Sequence, residues 1–154
     1  MGTPIILEAQ LKNVEFGDNV KVVMPANIYG CRIGNNCFIG PFTEIQKDVV
    51  IGDRTKVQSH SFICELVTIG TDCFIGHGVM FINDLFSGGG PAGGDKAKWK
   101  STFVGNHVSI GSNATILPVT ICANVVIGAG AVVTKNISLP GVYAGNPAKL
   151  VRSL

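Results

Sequence analysis

Large apolar residues recur at every sixth position along most of this chain. Ile33, Ile39, Ile45, Ile51, Val57, Ile63, Ile69, Ile75 and Phe81 are nine consecutive members of the series without a slip. Phe16, Val22 and Ile28 precede them on the same period, with one residue lost before Ile33. After a gap come Val104, Ile110 and Ile116, one more residue is lost, and Ile121, Ile127, Val133 and Leu139 complete nineteen positions. A helix needs a period near 3.6, and an ordinary strand alternates every two residues over a short run. A period of six sustained this long predicts short flat strands separated by corners, wound into a coil.

Two further positions share the period. Four residues after the aliphatics stand small or β-branched side chains: Cys37, Thr43, Val49, Thr55, Ser61, Val67, Cys73 and Val79, then Val108, Ala114, Thr120, Val125 and Ala131. A narrow interior admits a small inward side chain beside a large one. Glycine often follows the aliphatic directly, at Gly34, Gly40, Gly52, Gly70, Gly76, Gly105, Gly111 and Gly128. Three residues after it come Asn36, Asp48, Asp72, Gly78, Asn113, Asn124, Gly130 and Asn136. Gly, Asn and Asp tolerate left-handed backbone, so both sets are assigned to sharp corners. Three sides of six residues make a turn of about eighteen, so nineteen positions predict about six turns. Turns stack like neighbouring strands, about 4.8 Å apart, which gives an all-β prism on the order of 30 Å long. Each turn buries its aliphatics only against the turns above and below it.

Composition narrows the class. The 154 residues fit one domain, 1–154. Charged residues are 14% and the net charge is +2, which supports neither a disordered acidic or basic tail nor a nucleic-acid surface. Neither a run of about 18 apolar residues nor, in Met1–Gln10, the basic start and cleavage site of a signal peptide is present, so the cytoplasm is the expected compartment. The five cysteines, Cys31, Cys37, Cys64, Cys73 and Cys122, are odd in number and contain no Cys-x-x-Cys pair. They read as small buried apolar residues, with a catalytic thiol as the minor alternative.

From Phe16 to the C-terminus the repeats resemble the hexapeptide-repeat acyltransferases, whose fold is a single-stranded left-handed parallel β-helix. Handedness comes from that resemblance, since parallel crossovers in general are right-handed. The runs Gly128-Ala129-Gly130-Ala131-Val132-Val133 and Gly145-Asn146-Pro147-Ala148-Lys149 resemble the coenzyme A end of the family. The run Ile75-Gly76-His77-Gly78-Val79-Met80-Phe81-Ile82-Asn83-Asp84 is similar to nucleotide-linked amino-sugar N-acetyltransferases, especially those acting on a 3-amino sugar. Related chains continue with an aromatic, Pro and Arg, whereas here Leu85-Phe86-Ser87 and a Gly-rich stretch follow.

Phe81 and Val104 are 23 residues apart instead of six, so a loop excursion is placed at about 82–103, and a short C-terminal cap at about 140–154. Long loops in compact domains are usually functional or disordered. This one carries the only Trp, Trp99, among Lys96, Lys98 and Lys100, which reads either as phosphate contact plus stacking or as a solvated charge run anchored by Trp99. The resemblance sets this loop beside the acceptor site and favours the first reading, with Trp99 and Lys100 as substrate contacts.

Acyl transfer from a thioester to an amine requires loss of a proton from the amine, stabilisation of the oxyanion, and alignment of the two substrates. Histidine is the usual base near neutral pH. His60 and His77 fall at one corner on successive turns, while His107 follows the loop at a distance the sequence does not fix. His77 is the candidate base, His60 a candidate substrate contact, and the alternative for both is a polar corner residue. In the resembling subfamily the base is not uniformly histidine, and some members rely on positioning. Asn83, at the loop root, offers an amide that can both donate and accept, and the resemblance makes it a substrate anchor with a part in catalysis. Asp84 could attract an ammonium. Asn-Asp is also a common turn pair. Ser112 and Ala129 are small residues one turn apart that would let a pantetheine arm approach backbone N–H groups. Lys135, Lys149 and Arg152 are candidates for the cofactor's phosphates, beside Pro147, and solvated surface charge is the alternative for each.

The resemblance therefore implies acetyl-CoA as co-substrate, a nucleotide-linked amino sugar as acceptor, direct attack without an acyl-enzyme, and a homotrimer with interfacial sites. It implies neither nucleic-acid binding nor membrane insertion. No metal is expected: the zinc carbonic-anhydrase branch of the fold has two histidines five residues apart, and this chain has none so spaced. An O-acetyltransferase with a histidine base, or a non-catalytic β-helix scaffold, remains the alternative reading.

Overall fold

The computed structural model describes residues 2–154. Its strands assemble into three sheets whose members are separated in sequence by one turn, which is the topology of a three-sided coil. The first face stacks Leu11–Lys12, Asn27–Tyr29, Glu44–Ile45, Phe62–Ile63, Met80–Phe81, Thr115–Ile116 and Val132–Val133. The second stacks Glu15–Phe16, Arg32–Ile33, Val50–Ile51, Val67–Ile69, Thr102–Val104 and Thr120–Ile121. The third runs from Lys21–Val22 through Phe38–Ile39, Lys56–Val57, Phe74–Ile75, Ser109–Ile110 and Val125–Ile127 to Gly141–Ala144. Pairing between turns is parallel and in register, as in Ile28 beside Ile45 and Ile75 beside Ile110. The architecture is the expected left-handed parallel β-helix, with about seven turns instead of six. The extra turn comes from Leu11–Lys12, which pairs with the strand of Ile28 although it lies before the first periodic aliphatic.

The periodic aliphatics fill the bore. Ile28, Ile39, Ile45, Val57, Ile63, Ile75, Phe81, Val104, Ile110, Ile116 and Ile121 are completely shielded from solvent. Burying one such side chain stabilises the fold by roughly 1.5–3 kcal/mol. The smaller inward set is buried beside them, and its hydroxyls are satisfied by carbonyls of the next turn: Thr55 Oγ1 donates to Gly70 O at 2.9 Å and Ser61 Oγ to Gly76 O at 2.9 Å. Among the described residues every buried side-chain polar atom has a hydrogen-bond partner.

Four expectations are corrected. Leu139 is exposed, and Ile137 is the buried member of its row, bridged to Ile121. Thr120 faces outward and Val119 takes the small inward position. In both cases the side is shorter than six residues, and the count of six resumes on the next side, from Ile121 to Ile127 and from Ile137 to Tyr143. Phe16 is 41% exposed because the coil's end offers little to cover it. The glycines that follow aliphatics are not at left-handed φ: the corner positions with φ near +55° to +70° are the third residues, including Asn36, Asp48, Asp72, Gly78, Asn113 and Gly130, and Asn136 on the shortened side is not among them. Phe42, Arg54, His60, Leu66 and His107 adopt the same conformation, so the coil imposes it on whatever residue stands there. What Gly52 and its equivalents supply is close approach, since a Cβ on Gly52 would lie 2.6 Å from the backbone carbon of Gly70.

Length variation is confined to one corner. Between the first and second faces the core aliphatics are spaced 28→33, 45→51, 63→69, 81→104, 116→121 and 133→137. At the other two corners the spacing is six throughout, as in 39→45, 75→81 and 110→116. The excursion leaves at the variable corner after Phe81, and the coil resumes at Thr102, slightly earlier than the expected boundary of 103. At the top, Gly141–Ala144 and Lys149–Arg152 form an antiparallel hairpin that caps the third face.

The thiols are confined as expected. Cys31, Cys37, Cys64 and Cys73 are buried and Cys122 is partly so. Burial pushes the Cys31 thiol up to about 11 and that of Cys64 up to about 12, so neither is a nucleophile near neutral pH. An aromatic disulfide reagent at pH 8 is expected to label at most Cys122 in the folded protein and all five thiols in denaturant. Fast labelling of more than one thiol in the folded protein would contradict this placement.

Candidate functional site

The corner between the third and first faces is built from small and polar residues in vertical register. Gly78 N donates to Ser59 O at 3.0 Å, Asn113 N to His77 O at 2.8 Å, and Gly130 N to Ser112 O at 2.8 Å. These bonds stack Ser59, His77, Ser112 and Ala129 as one column, one residue per turn, about 4.8 Å apart. The column continues into the cap, where Ala148 N donates to Val132 O at 2.8 Å and Val132 N to Gly145 O at 2.9 Å. Pro147 lies between Gly145 and Ala148, and Lys149 pairs with Ala144 in the hairpin above the third face. Arg152 lies at the far end of the cap strand, and Lys135 lies at the variable corner, so the structure does not bring these two to the column.

His77 is exposed, and its Nδ1 makes a 2.8 Å hydrogen bond with Ser59 Oγ. When Nδ1–H donates to Ser59, the Nε2 lone pair is free to accept a proton. Sequence reasoning passed over Ser59, although it stands one eighteen-residue turn before His77. His60 shares this corner but is offset by one position, and its ring packs on Phe42 with centroids 4.9 Å apart. His107 belongs to a different corner, with Nδ1 4.0 Å from Asp72. There the Arg54 guanidinium, bonded to Asp72 at 2.7 and 2.8 Å, holds that carboxyl below its usual value.

Asn83 occupies the variable corner, at the other end of the first face from His77. Six residues of chain separate the two, a reach of up to about 20 Å. Asn83 Nδ2 donates to Glu65 O at 3.3 Å, and Asn83 O receives Lys100 N at 2.9 Å, so this residue ties the two roots of the loop to the coil. Asp84 is turned into the loop, where its carboxylate accepts Phe86 N at 2.9 Å and Ala92 N at 2.7 Å. The carboxylate that faces the loop from the coil is Glu65. Its side chain is only 12% exposed, and it receives Lys96 Nζ at 2.8 and 2.7 Å. Lys96 Nζ also lies 5.2 Å from the ring centroid of the half-buried Trp99. Tyr29 is close enough that burial, then Glu44 and Glu65, raise its phenol above the ordinary value. Glu65 stands eighteen residues before Asn83, a spacing that could have identified it. Lys96 had no such signal, because the loop is aperiodic.

Two polar centres thus lie on consecutive corners of one chain: a histidine column with small residues above it, and a loop root carrying an amide and a half-buried carboxylate. Among the described residues no three His, Cys, Asp or Glu side chains are grouped to hold a metal ion.

Comparisons with known proteins agree with the repeat. Residues 30–65 match the family described as bacterial transferase hexapeptide (six repeats), and residues 102–135 match the hexapeptide repeat of succinyl-transferase. The bifunctional protein GlmU of Acaryochloris marina is 31% identical over 140 residues, covering 89% of this chain. The chain spans only 28% of that relative's length. A mutant of AntD, an N-acyltransferase from Bacillus cereus, solved with dTDP and coenzyme A, superposes with a TM-score of 0.80 at 25% identity, covering 90% of this chain and 83% of that one. A hexapeptide-repeat acetyltransferase from Vibrio cholerae, solved with acetyl-coenzyme A, gives 0.68 at 27% identity, covering 81% and 71% respectively.

Proposed function

Because this chain belongs to the hexapeptide-repeat acyltransferases, we propose that it moves an acetyl group from acetyl-coenzyme A to the amine of a nucleotide-linked amino sugar. The observation that carries this reading is the column of Ser59, His77, Ser112 and Ala129. Its upper members have side chains small enough for an extended pantetheine arm to lie along the corner and reach backbone N–H groups. The arm's thioester would then come down beside His77.

The reaction is direct aminolysis. The amine nitrogen attacks the thioester carbonyl, a tetrahedral oxyanion forms, and the C–S bond breaks to release coenzyme A. His77 Nε2 accepts the proton the amine sheds, while Ser59 fixes the ring through Nδ1. Asn83 orients the acceptor, and the Glu65 carboxylate beside it holds Lys96 at the loop root. Lys149, in the cap hairpin, would meet the cofactor's phosphates. Lys135 and Arg152 stand apart from the column, which makes solvated surface charge the better reading of both.

His77 and Asn83 lie too far apart in one chain to grip one small sugar. A homotrimer of parallel prisms would set the histidine corner of one copy against the loop corner of the next, with three interfacial sites. A cytoplasmic location suits these substrates.

The test is turnover. Purified protein is expected to bind acetyl-coenzyme A in the micromolar range by calorimetry, at about one per chain, and to release free thiol only when an amino-sugar nucleotide is supplied. Cofactor binding with turnover on sugar hydroxyls alone would favour O-acetylation instead. The Ser59–His77 pairing suits that chemistry too, since a hydroxyl needs a base more than an amine does. Asn83→Ala is expected to raise the acceptor KM by roughly tenfold, the size of one lost polar contact, with the KM for acetyl-coenzyme A unchanged. An unaltered acceptor KM would remove the anchor role.

A further inference from the structure

The third face carries a second polar surface, below His77 and on the opposite side of it from Ser112 and Ala129. Lys21, Phe38 and Lys56 stand side by side on adjacent strands in register, all facing outward. They line an open groove of about 720 Å³, with the carboxamide of Asn36 toward one end and that of Gln58 toward the other. No carboxylate lines the groove, and neither lysine forms an ion pair among the described residues. The two lysines are separated by two strand spacings, about 9–10 Å at the backbone, so their flexible stems can converge on one dianion. Phe38 between them offers an aromatic surface to a flat ring. Asn36 accepts from Asn19 Nδ2 at 3.4 Å, which leaves its own amide donors for a ligand.

We infer that this groove holds the nucleoside diphosphate of the acceptor, an inference that rests on the nucleotide-linked amino sugar proposed above. In this placement the base lies over Phe38 toward Asn36, the diphosphate lies between Lys21 and Lys56, and the sugar continues past Gln58 to Ser59 and His77. Gln58 is the residue directly before Ser59, so the groove opens onto the histidine corner. Coenzyme A also carries a nucleoside diphosphate. The small residues expected to receive its arm lie above His77, whereas the groove lies below, so the two nucleotides would approach the reacting atoms from opposite ends.

The experiment is calorimetric titration of dTDP, UDP and acetyl-coenzyme A, each separately, into the wild-type chain, a Lys21→Gln/Lys56→Gln double variant and Phe38→Ala. Both lysines are exposed and the glutamines keep most of the stem, so folding should be retained, with the melting temperature as the check. The expected result is a loss of nucleotide affinity of at least tenfold in the double variant and a smaller loss in Phe38→Ala, with acetyl-coenzyme A affinity unchanged in both. Unchanged nucleotide affinity would overturn the groove assignment and leave the amino-sugar reading standing. A selective loss of acetyl-coenzyme A affinity would assign the groove to the cofactor and overturn the inference. Failure of the wild-type chain to bind either nucleotide, with acetyl-coenzyme A still bound, would remove both the groove assignment and the nucleotide-linked acceptor.

Discussion

His77→Ala is expected to lower kcat on the amino-sugar acceptor by about two to four orders of magnitude, the span associated with a positioned general base. The KM for acetyl-coenzyme A should barely change, because the column offers the cofactor backbone and small side chains rather than the imidazole. Ser59→Ala should cost less, about tenfold: it removes the 2.8 Å bond that fixes the ring, without removing the base. That graded pair of effects distinguishes a base from a structural corner residue, for which both substitutions would act through stability alone. If His77→Ala retains kcat within about threefold, the amine attacks by positioning, with the departing thiolate taking the proton.

The second large effect concerns the coil itself. A Cβ on Gly52 would lie 2.6 Å from Gly70 C, 2.7 Å from Gly70 O and 2.8 Å from Thr71 N. These are backbone atoms of the next turn, fixed by the parallel ladder, so no rotamer change can relieve the contact. Gly52→Ala must separate two turns or bend the corner, at a cost of about 2–3 kcal/mol by analogy with overpacked cores. For a chain of this size that corresponds to a fall in Tm of roughly 5–10 °C. Gly88→Ala is the matched control, since a Cβ there meets nothing within 4 Å. Its Tm should not move measurably. Equal shifts for both would mean that loss of glycine, not turn spacing, sets the cost.

Much of this was legible because the fold is a repeat. One aliphatic every six residues names the inward row, and a spacing of eighteen names the neighbours above and below. The same arithmetic places His77 and Asn83 on consecutive corners, each two residues past a core aliphatic, and points to Ser59 and Glu65 one turn before them. It failed at Val119 and Ile137, where a shortened side breaks the count, and the reason is physical: burial fixes the distance to the next strand, not to the previous one. The glycines were given the wrong cause, since local backbone freedom and close approach of a neighbouring turn select the same residue. The ion pair of Lys96 with Glu65, and the capture of Asp84 by loop N–H groups, carry no periodic signal. They depend on how an irregular segment folds back onto a surface that the repeat alone defines.

The confinement of every irregular spacing to one corner has a consequence for how such a molecule can change. A coil made of identical rungs is unforgiving of insertion, because one extra residue inside a side would turn the aliphatics outward and misplace every contact above it. Here a single edge accommodates a deletion of one residue, a deletion of two, and an excursion of some twenty, while the corner carrying His77 keeps its spacing of six. The irregular loop and the regular histidine edge are thereby separately inheritable parts of the chain. The segment between Phe81 and Thr102 can be exchanged without realigning the edge that carries His77.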